Sequence, residues 1–173
     1  MPRSPLNHPL IITQSFMANP ATYPGTKGHP GVDLRSPLRD DWFACVPGTV
    51  TLRTDWGIIL KPFPHVGLVG YGRAVELDWG QADGTFIKFL YGHGTNRLSF
   101  PPGQNHVEEG KFLAESGNTG RSTAPHLHFE MRRYYRPGTG HGRLYDKRLN
   151  LTYNLLDPVA EFLKPNGIPF VHV

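Results

Sequence analysis

Glycine and proline interrupt this chain at short intervals, with 20 glycines and 17 prolines spread through 173 residues. Proline inside a helix removes a hydrogen bond and clashes with the preceding turn, and glycine there costs about 1 kcal/mol relative to alanine. Few stretches are long enough for a helix. What is left between the breaks suits short strands joined by turns. Such a composition could also describe a disordered chain, but 38% hydrophobic and 12% aromatic residues are enough to build a core.

Strands are expected over residues 11–15, in two pieces over 43–53 around a Pro47–Gly48 turn, and over 57–61, 73–79, 85–91, 111–115 and 126–133. Residues 31–37 read as a loop leading into a strand. The segments 73–79 and 85–91 bracket Ala82-Asp83-Gly84 as a β-hairpin would. Residues 62–72, 98–109 and 137–150 read as long loops. One helix is expected near residues 157–163, with Asp157 as cap and Pro158 at the first helical position. The fold class is therefore all-β, mainly antiparallel sheet, with long loops and at most one short C-terminal helix. The length suits one domain over residues 1–173.

The net charge of +4 comes from scattered basic residues, with only the Arg132–Arg133 pair adjacent, so no nucleic-acid partner is expected. No apolar run approaches the length of a membrane span. The start of the chain, interrupted by Pro2, Pro5 and Pro9, lacks the apolar core of a secretory signal. The one cysteine, Cys45, excludes an intramolecular disulfide and reads as a small core residue in the apolar run Phe43-Ala44-Cys45-Val46.

Nine histidines are many for this length, and their positions separate them. In the strand expected over 126–133, alternate side chains share a face. His126, His128 and Glu130 then point one way, and Leu127, Phe129 and Met131 the other, toward a core. Two imidazoles two residues apart can reach one metal site, or can simply decorate a polar edge. In Gly28-His29-Pro30-Gly31-Val32-Asp33, the proline and glycine rule out a helix, so a turn must bring His29 to Asp33. Imidazole and carboxylate together suit zinc. His29, Asp33 and one of His126 and His128 make three protein ligands, with a fourth position left for water, as catalytic zinc sites have. The other histidine of the pair, and His93 beyond an apolar strand, are candidates to move protons.

These segments, with Tyr91-Gly92-His93 and the run from Ser116 through Gly120 and Arg121 to Pro125-His126-Leu127-His128-Phe129-Glu130, resemble the M23 family of lysostaphin-like peptidases. The resemblance covers about residues 29–133, with three separated motifs in the right order. It implies a β-sheet core with a groove between loops. It implies one zinc ion held by His29, Asp33 and His128, and a catalytic pair of His93 and His126. The activity implied is that of a zinc metalloendopeptidase cutting peptide cross-links of bacterial peptidoglycan, either glycine bridges or bonds of D-amino acids. Glu130 reads as a carboxylate behind the metal that orients a ligand histidine. Ser122 and Thr123 read as turn residues, and Tyr71, Tyr134 and Tyr135 as packing residues. His8, His65, His106, His141 and His172 read as solvated, with His65 and His141 in loops that could wall the groove.

The sequence departs from the family pattern in Gly94, where a leucine usually follows the histidine, in a longer hairpin before Tyr91, and in the three long loops. The alternatives are a non-catalytic relative that binds wall or activates a partner, and a zinc peptidase of protein substrates. The five intact positions argue against the first. The expected setting is a monomer acting on the cell wall, either as a phage lysin made in the cytoplasm or as an exported bacterial enzyme.

Overall fold

An interval free of glycine and proline, between Pro125 and Pro137, becomes the central strand of the sheet. The computed structural model describes residues 2–23, 25–53, 70–99, 103–136, 141–147 and 149–173. The central strand is β9, Leu127–Tyr135. Before it come β1 (Leu10–Gln14), β2 (Val32–Leu34), β3 (Asp41–Phe43), β4 (Gly48–Arg53), β5 (Arg73–Gly80), β6 (Phe86–Leu98), β7 (Gln104–Val107) and β8 (Phe112–Ser116). After it come β10 (Leu144–Asp146), β11 (Leu151–Leu156) and β12 (Phe170–His172). The strands run in the order β12-β1-β2-β9-β6-β5-β4-β7, with β11 also on β9 and β8 also on β6. Pairing is antiparallel except between β1 and β12, which are parallel. The expected all-β class, mainly antiparallel, matches this open, mixed sheet.

Alternation along β9 sorts its residues as expected. Leu127, Phe129 and Met131 are buried in the apolar core with Leu10, Ile12 and Leu34 from neighbouring strands. Phe129 lies 5.8 Å from Phe89 and 5.3 Å from Tyr91 between ring centroids. The expected helix is a single π-helical turn, Val159–Leu163. It follows Pro158, and the Asp157 carboxylate accepts the Val159 N–H at 2.8 Å, so the expected cap operates. Its Phe162 packs edge-on to Phe89 at 5.0 Å, closing one side of the core. Cys45 is buried, as expected, and burial pushes its thiol up to about 12.

Several elements differ from expectation. Residues 98–109 contain β7, and residues 137–150 contain β10, rather than loop alone. Strands β11 and β12 had no counterpart in the sequence reading. Each is three to six residues long and depends on pairing: β11 is half-buried throughout against β9, and β12 is added beside β1. Expected strand 57–61 and most of loop 62–72 lie outside the described residues. Among the described residues no helix is long and apolar enough to cross a membrane.

The decisive feature for the site is a change of partner along β6. This strand pairs with β9 as far as Gly92 opposite His128, then with β8 from Gly94 opposite Ser116. His93 stands at the divergence with a φ of 70°, a conformation uncommon for a residue with a side chain. On the other flank of β9, Asp33 of β2 is registered opposite His128. His128 therefore has Asp33 on one neighbouring strand and a glycine on the other, and the sheet opens just beyond it.

A candidate metal centre

The turn before β2 brings His29 back over Asp33. His29 is pinned by two backbone hydrogen bonds: its N–H donates to Ala18 at 2.8 Å and its carbonyl accepts from Met17 at 2.8 Å. Gly28 allows this close approach, since with φ 146° an added Cβ would lie 2.5 Å from the Met17 oxygen. The result places His29 Nε2 3.2 Å from Asp33 Oδ1 and 3.0 Å from His128 Nδ1. His128 Nδ1 is 2.9 Å from the same Asp33 oxygen. Residues 99 positions apart thus meet at one point.

The other two histidines border this point. His126 Nε2 lies 3.5 Å from Asp33 Oδ1, and its ring centroid is 4.6 Å from that of His93. His93 is 5.9 Å from His128 by the same measure. The five residues singled out in the sequence are therefore together, and Glu130 stands behind His128. The remaining histidines are elsewhere: His8 pairs with Asp40, His106 lies near Glu108, and exposed His141 packs on Tyr135. His172 lies near Ser15, and His65 is outside the described residues.

Each imidazole has one nitrogen tied to an oxygen that can only accept, which fixes where its ring proton sits. His29 Nδ1 faces the Ser15 carbonyl at 3.3 Å, His93 Nδ1 the Thr119 carbonyl at 2.7 Å, and His126 Nδ1 the Ala124 carbonyl at 2.8 Å. His128 Nε2 faces the Glu130 carboxylate at 3.2 Å. The ring proton belongs on that nitrogen in every case. The second nitrogen of His29 and of His128 then offers a lone pair to the shared point.

The loop residues that supply these acceptors are themselves held. Thr119 Oγ1 donates to Gly94 at 2.8 Å, and the Arg121 N–H donates to Gly70 at 2.8 Å. Gly72, with φ 63°, lets the segment 70–72 lie against Thr119, where a Cβ would be 2.4 Å from backbone. Ser122 donates to Ala124 at 2.8 Å, the turn-holding role expected of it.

The electrostatics agree with a cation at the centre. Burial raises the Asp33 carboxyl, but the imidazoles of His126, His128 and His29 gathered around it outweigh that and hold the group well below the usual carboxylate range. Burial lowers His128, yet Asp33 and Glu130 on either side push it up to about 9. Burial, with His128 and His126 nearby, pushes His93 down to about 3, so it is uncharged at neutral pH. Two carboxylates around a buried imidazole call for positive charge, and without a metal a proton on His128 supplies it.

The donor set fits a divalent metal. His29, Asp33 and His128 offer one nitrogen, one oxygen and one nitrogen within 4.8 Å of one another. Tetrahedral zinc with bonds of about 2.0–2.1 Å keeps its ligands about 3.3 Å apart. The separations of 2.9, 3.0 and 3.2 Å are close to that.

Comparison with known proteins places this arrangement. The family model described as "Peptidase family M23" matches residues 27–141. The chain belongs to peptidase family M23. A protein of Neisseria meningitidis serogroup B named "DD-carboxypeptidase/endopeptidase Mpg" is 33% identical to this M23 chain over 104 residues. A protein of the same name from Neisseria gonorrhoeae matches equally. Each match covers 60% of the chain but only 20% of the relative, so the chain spans a small part of these proteins' length. Among solved structures, lysostaphin from Staphylococcus simulans superposes with a TM-score of 0.59 at 23% identity, covering 92% of this chain and 51% of that one. Its catalytic domain alone gives 0.52 at 25% identity, covering 80% of both chains. A mutant catalytic domain of the prophage-encoded M23 protein EnpA from Enterococcus faecalis gives 0.56 at 22% identity, covering 92% of this chain and 97% of that one.

Sequence reasoning missed part of the surroundings. Tyr71 and Tyr134, read as packing residues, belong to a buried hydrogen-bonded network with Arg132. Arg132 read only as half of a basic pair. Its alternation with His128 and Glu130 was a signal that it shares their face.

Proposed function

We propose that this M23 chain is a zinc-dependent endopeptidase that hydrolyses peptide cross-links of bacterial peptidoglycan. The observation that carries this reading is the convergence of His29 Nε2, Asp33 Oδ1 and His128 Nδ1, with two more histidines at its rim. Bound zinc supplies Lewis acidity, which makes water a nucleophile near neutral pH and polarises a carbonyl.

The chain's own groups do the rest. His29, Asp33 and His128 hold the ion. His93 and His126, 4.6 Å apart, take the proton of the attacking water and return one to the leaving amine. Their Nδ1 atoms are committed to the Thr119 and Ala124 carbonyls, so Nε2 is the atom that moves the proton. The largely buried His93 keeps an unprotonated nitrogen at neutral pH, and the partly exposed His126 sits nearer the solvent from which substrate arrives.

Identity with the Neisseria proteins, whose name specifies DD-carboxypeptidase and endopeptidase activity, favours cross-links that join D-amino acids over glycine bridges. The test incubates zinc-loaded protein with purified muropeptide dimers carrying D,D cross-links and, separately, with pentaglycine-bridged wall. Mass spectrometry should show dimers converted to monomers. Intact dimers and intact bridges, with zinc bound and the fold retained, would overturn the proposal.

A further inference from the structure

The row of β9 side chains that begins with His128 continues as Glu130, Arg132 and Tyr134, and none of them is more than 4% exposed. Burying polar groups this fully is costly unless each finds a partner. Here the partners form one connected set. Glu130 Oε2 faces His128 Nε2 at 3.2 Å and accepts the Tyr71 hydroxyl at 2.6 Å. Glu130 Oε1 accepts from Arg132 Nε. The two other guanidinium nitrogens of Arg132 donate to the Tyr71 hydroxyl at 3.1 Å and to the Tyr134 hydroxyl at 3.4 Å. Tyr134 in turn donates to Asp146 of β10 at 2.9 Å.

The pattern has a direction. The Tyr71 hydroxyl has one proton, and Arg132 occupies an acceptor site on its oxygen, so that proton is turned toward Glu130. Both Glu130 oxygens are thereby tethered, one by Arg132 and one by Tyr71. The carboxylate can then lie in only one orientation, the one that receives the His128 ring proton at Nε2. The Tyr71 ring, 5.1 Å from that of His128, covers the imidazole from the side.

We infer that Arg132 and Tyr71 are positioning residues of the metal centre: through Glu130 they lock the ring of His128 so that Nδ1 is presented to the cation. This inference rests on the metal-site reading above. Lysine in place of Arg132 keeps the charge but cannot reach three partners in a fixed fork. Phenylalanine in place of Tyr71 keeps the ring and removes only the hydroxyl. Neither leaves Glu130 as a buried charge with no partner.

The experiment measures zinc affinity by chelator competition for the wild type, Arg132→Lys and Tyr71→Phe, with circular dichroism to check the fold. Loss of a partner behind a metal ligand weakens binding by about 10–100-fold, and that loss is expected in both variants. A second readout, independent of metal, is the His128 Nε2 proton, expected as a downfield, slowly exchanging NMR signal in wild type and lost or broadened in both variants. Affinities within twofold of wild type, or an unchanged Nε2 signal in both folded variants, would overturn the inference. If the wild type bound no zinc, the metal reading would fail, and the NMR signal would still decide whether Arg132 and Tyr71 hold the ring.

Discussion

Zinc should enter this site by expelling a proton, and the size of that effect follows from the geometry. Asp33 and Glu130 flank His128, and together they raise its pKa to about 9 against the opposing effect of burial. The Nδ1 that would ligate zinc is the atom facing Asp33 at 2.9 Å, so it carries the additional proton in the metal-free protein. Below the raised pKa that proton is bound, and zinc must displace it. At pH 7, two units below, the ring is about 99% protonated, and the competition costs about 3 kcal/mol. Zinc affinity should therefore rise about tenfold per pH unit between pH 6.5 and 8, and level off as the pH passes the raised pKa. Asp33 and Glu130 contribute no proton in this window, because their pKa values lie far below it. Calorimetry in buffers of different ionisation enthalpy should count about one proton released per zinc at pH 7. Glu130→Gln removes one of the two carboxylates that hold the proton, so that count should fall. A dissociation constant that is the same at pH 6.5 and 8, or a count near zero, would refute the reasoning.

The rim histidines should separate from the ligands by what they change. His126→Ala should retain zinc and lose about 10²–10⁴-fold in turnover, whereas His29→Ala should lose zinc itself, as metal analysis alongside a cleavage assay would show. Phe129→Ala removes a ring packed against Phe89, Tyr91 and Phe162. It should cost about 3–5 kcal/mol and lower the thermal midpoint by ~10 °C, read by calorimetry. Partial burial lowers His8, but its 2.7 Å hydrogen bond with Asp40 outweighs that and raises its pKa. The stabilisation is complete below pH 6.5 and disappears as pH rises through the raised value, so His8→Gln should remove a small loss of stability near neutral pH. Denaturation at pH 6 and 8, with NMR titration of His8, checks the sign.

Why the candidate metal centre is so legible in the sequence, and its support less so, comes down to the range over which each is encoded. Leu127-His128-Phe129-Glu130-Met131 states both of its faces by alternation, so the core side and the polar side of β9 could be read before any partner was known. Pro30 and Gly31 likewise forced a turn between His29 and Asp33. The strands that were missed carry no such local code. β10 and β12 span three residues each, β7 spans four, and the half-buried residues of β11 show no alternation. These form because an edge is waiting for them, and that edge is a property of the assembled sheet. Arg132 is a mixed case: beside Arg133 it looks like surface charge, its alternation with His128 and Glu130 puts it on their face, and its partner Tyr71 lies 61 positions earlier.

The opening at the site has a similar origin. No single residue announces that β6 will leave β9 after Gly92. The strand must abandon that partner because β8 pairs with its far end, at Gly94 and Leu98. His93 takes the strained φ of 70° at the point of departure. Such strain persists only where the surroundings hold it, and here a 2.7 Å bond from the His93 N–H to Tyr71 and another from Nδ1 to Thr119 do so. Gly94, the position that departs from the usual family leucine, lies at this divergence. An added Cβ there would meet Trp42 at 3.2 Å and the Arg73 and Glu115 carbonyls at 3.3 Å. A side chain as large as leucine would therefore have to displace the very strands that part beside His93, and the glycine is what lets them stay close while the sheet opens.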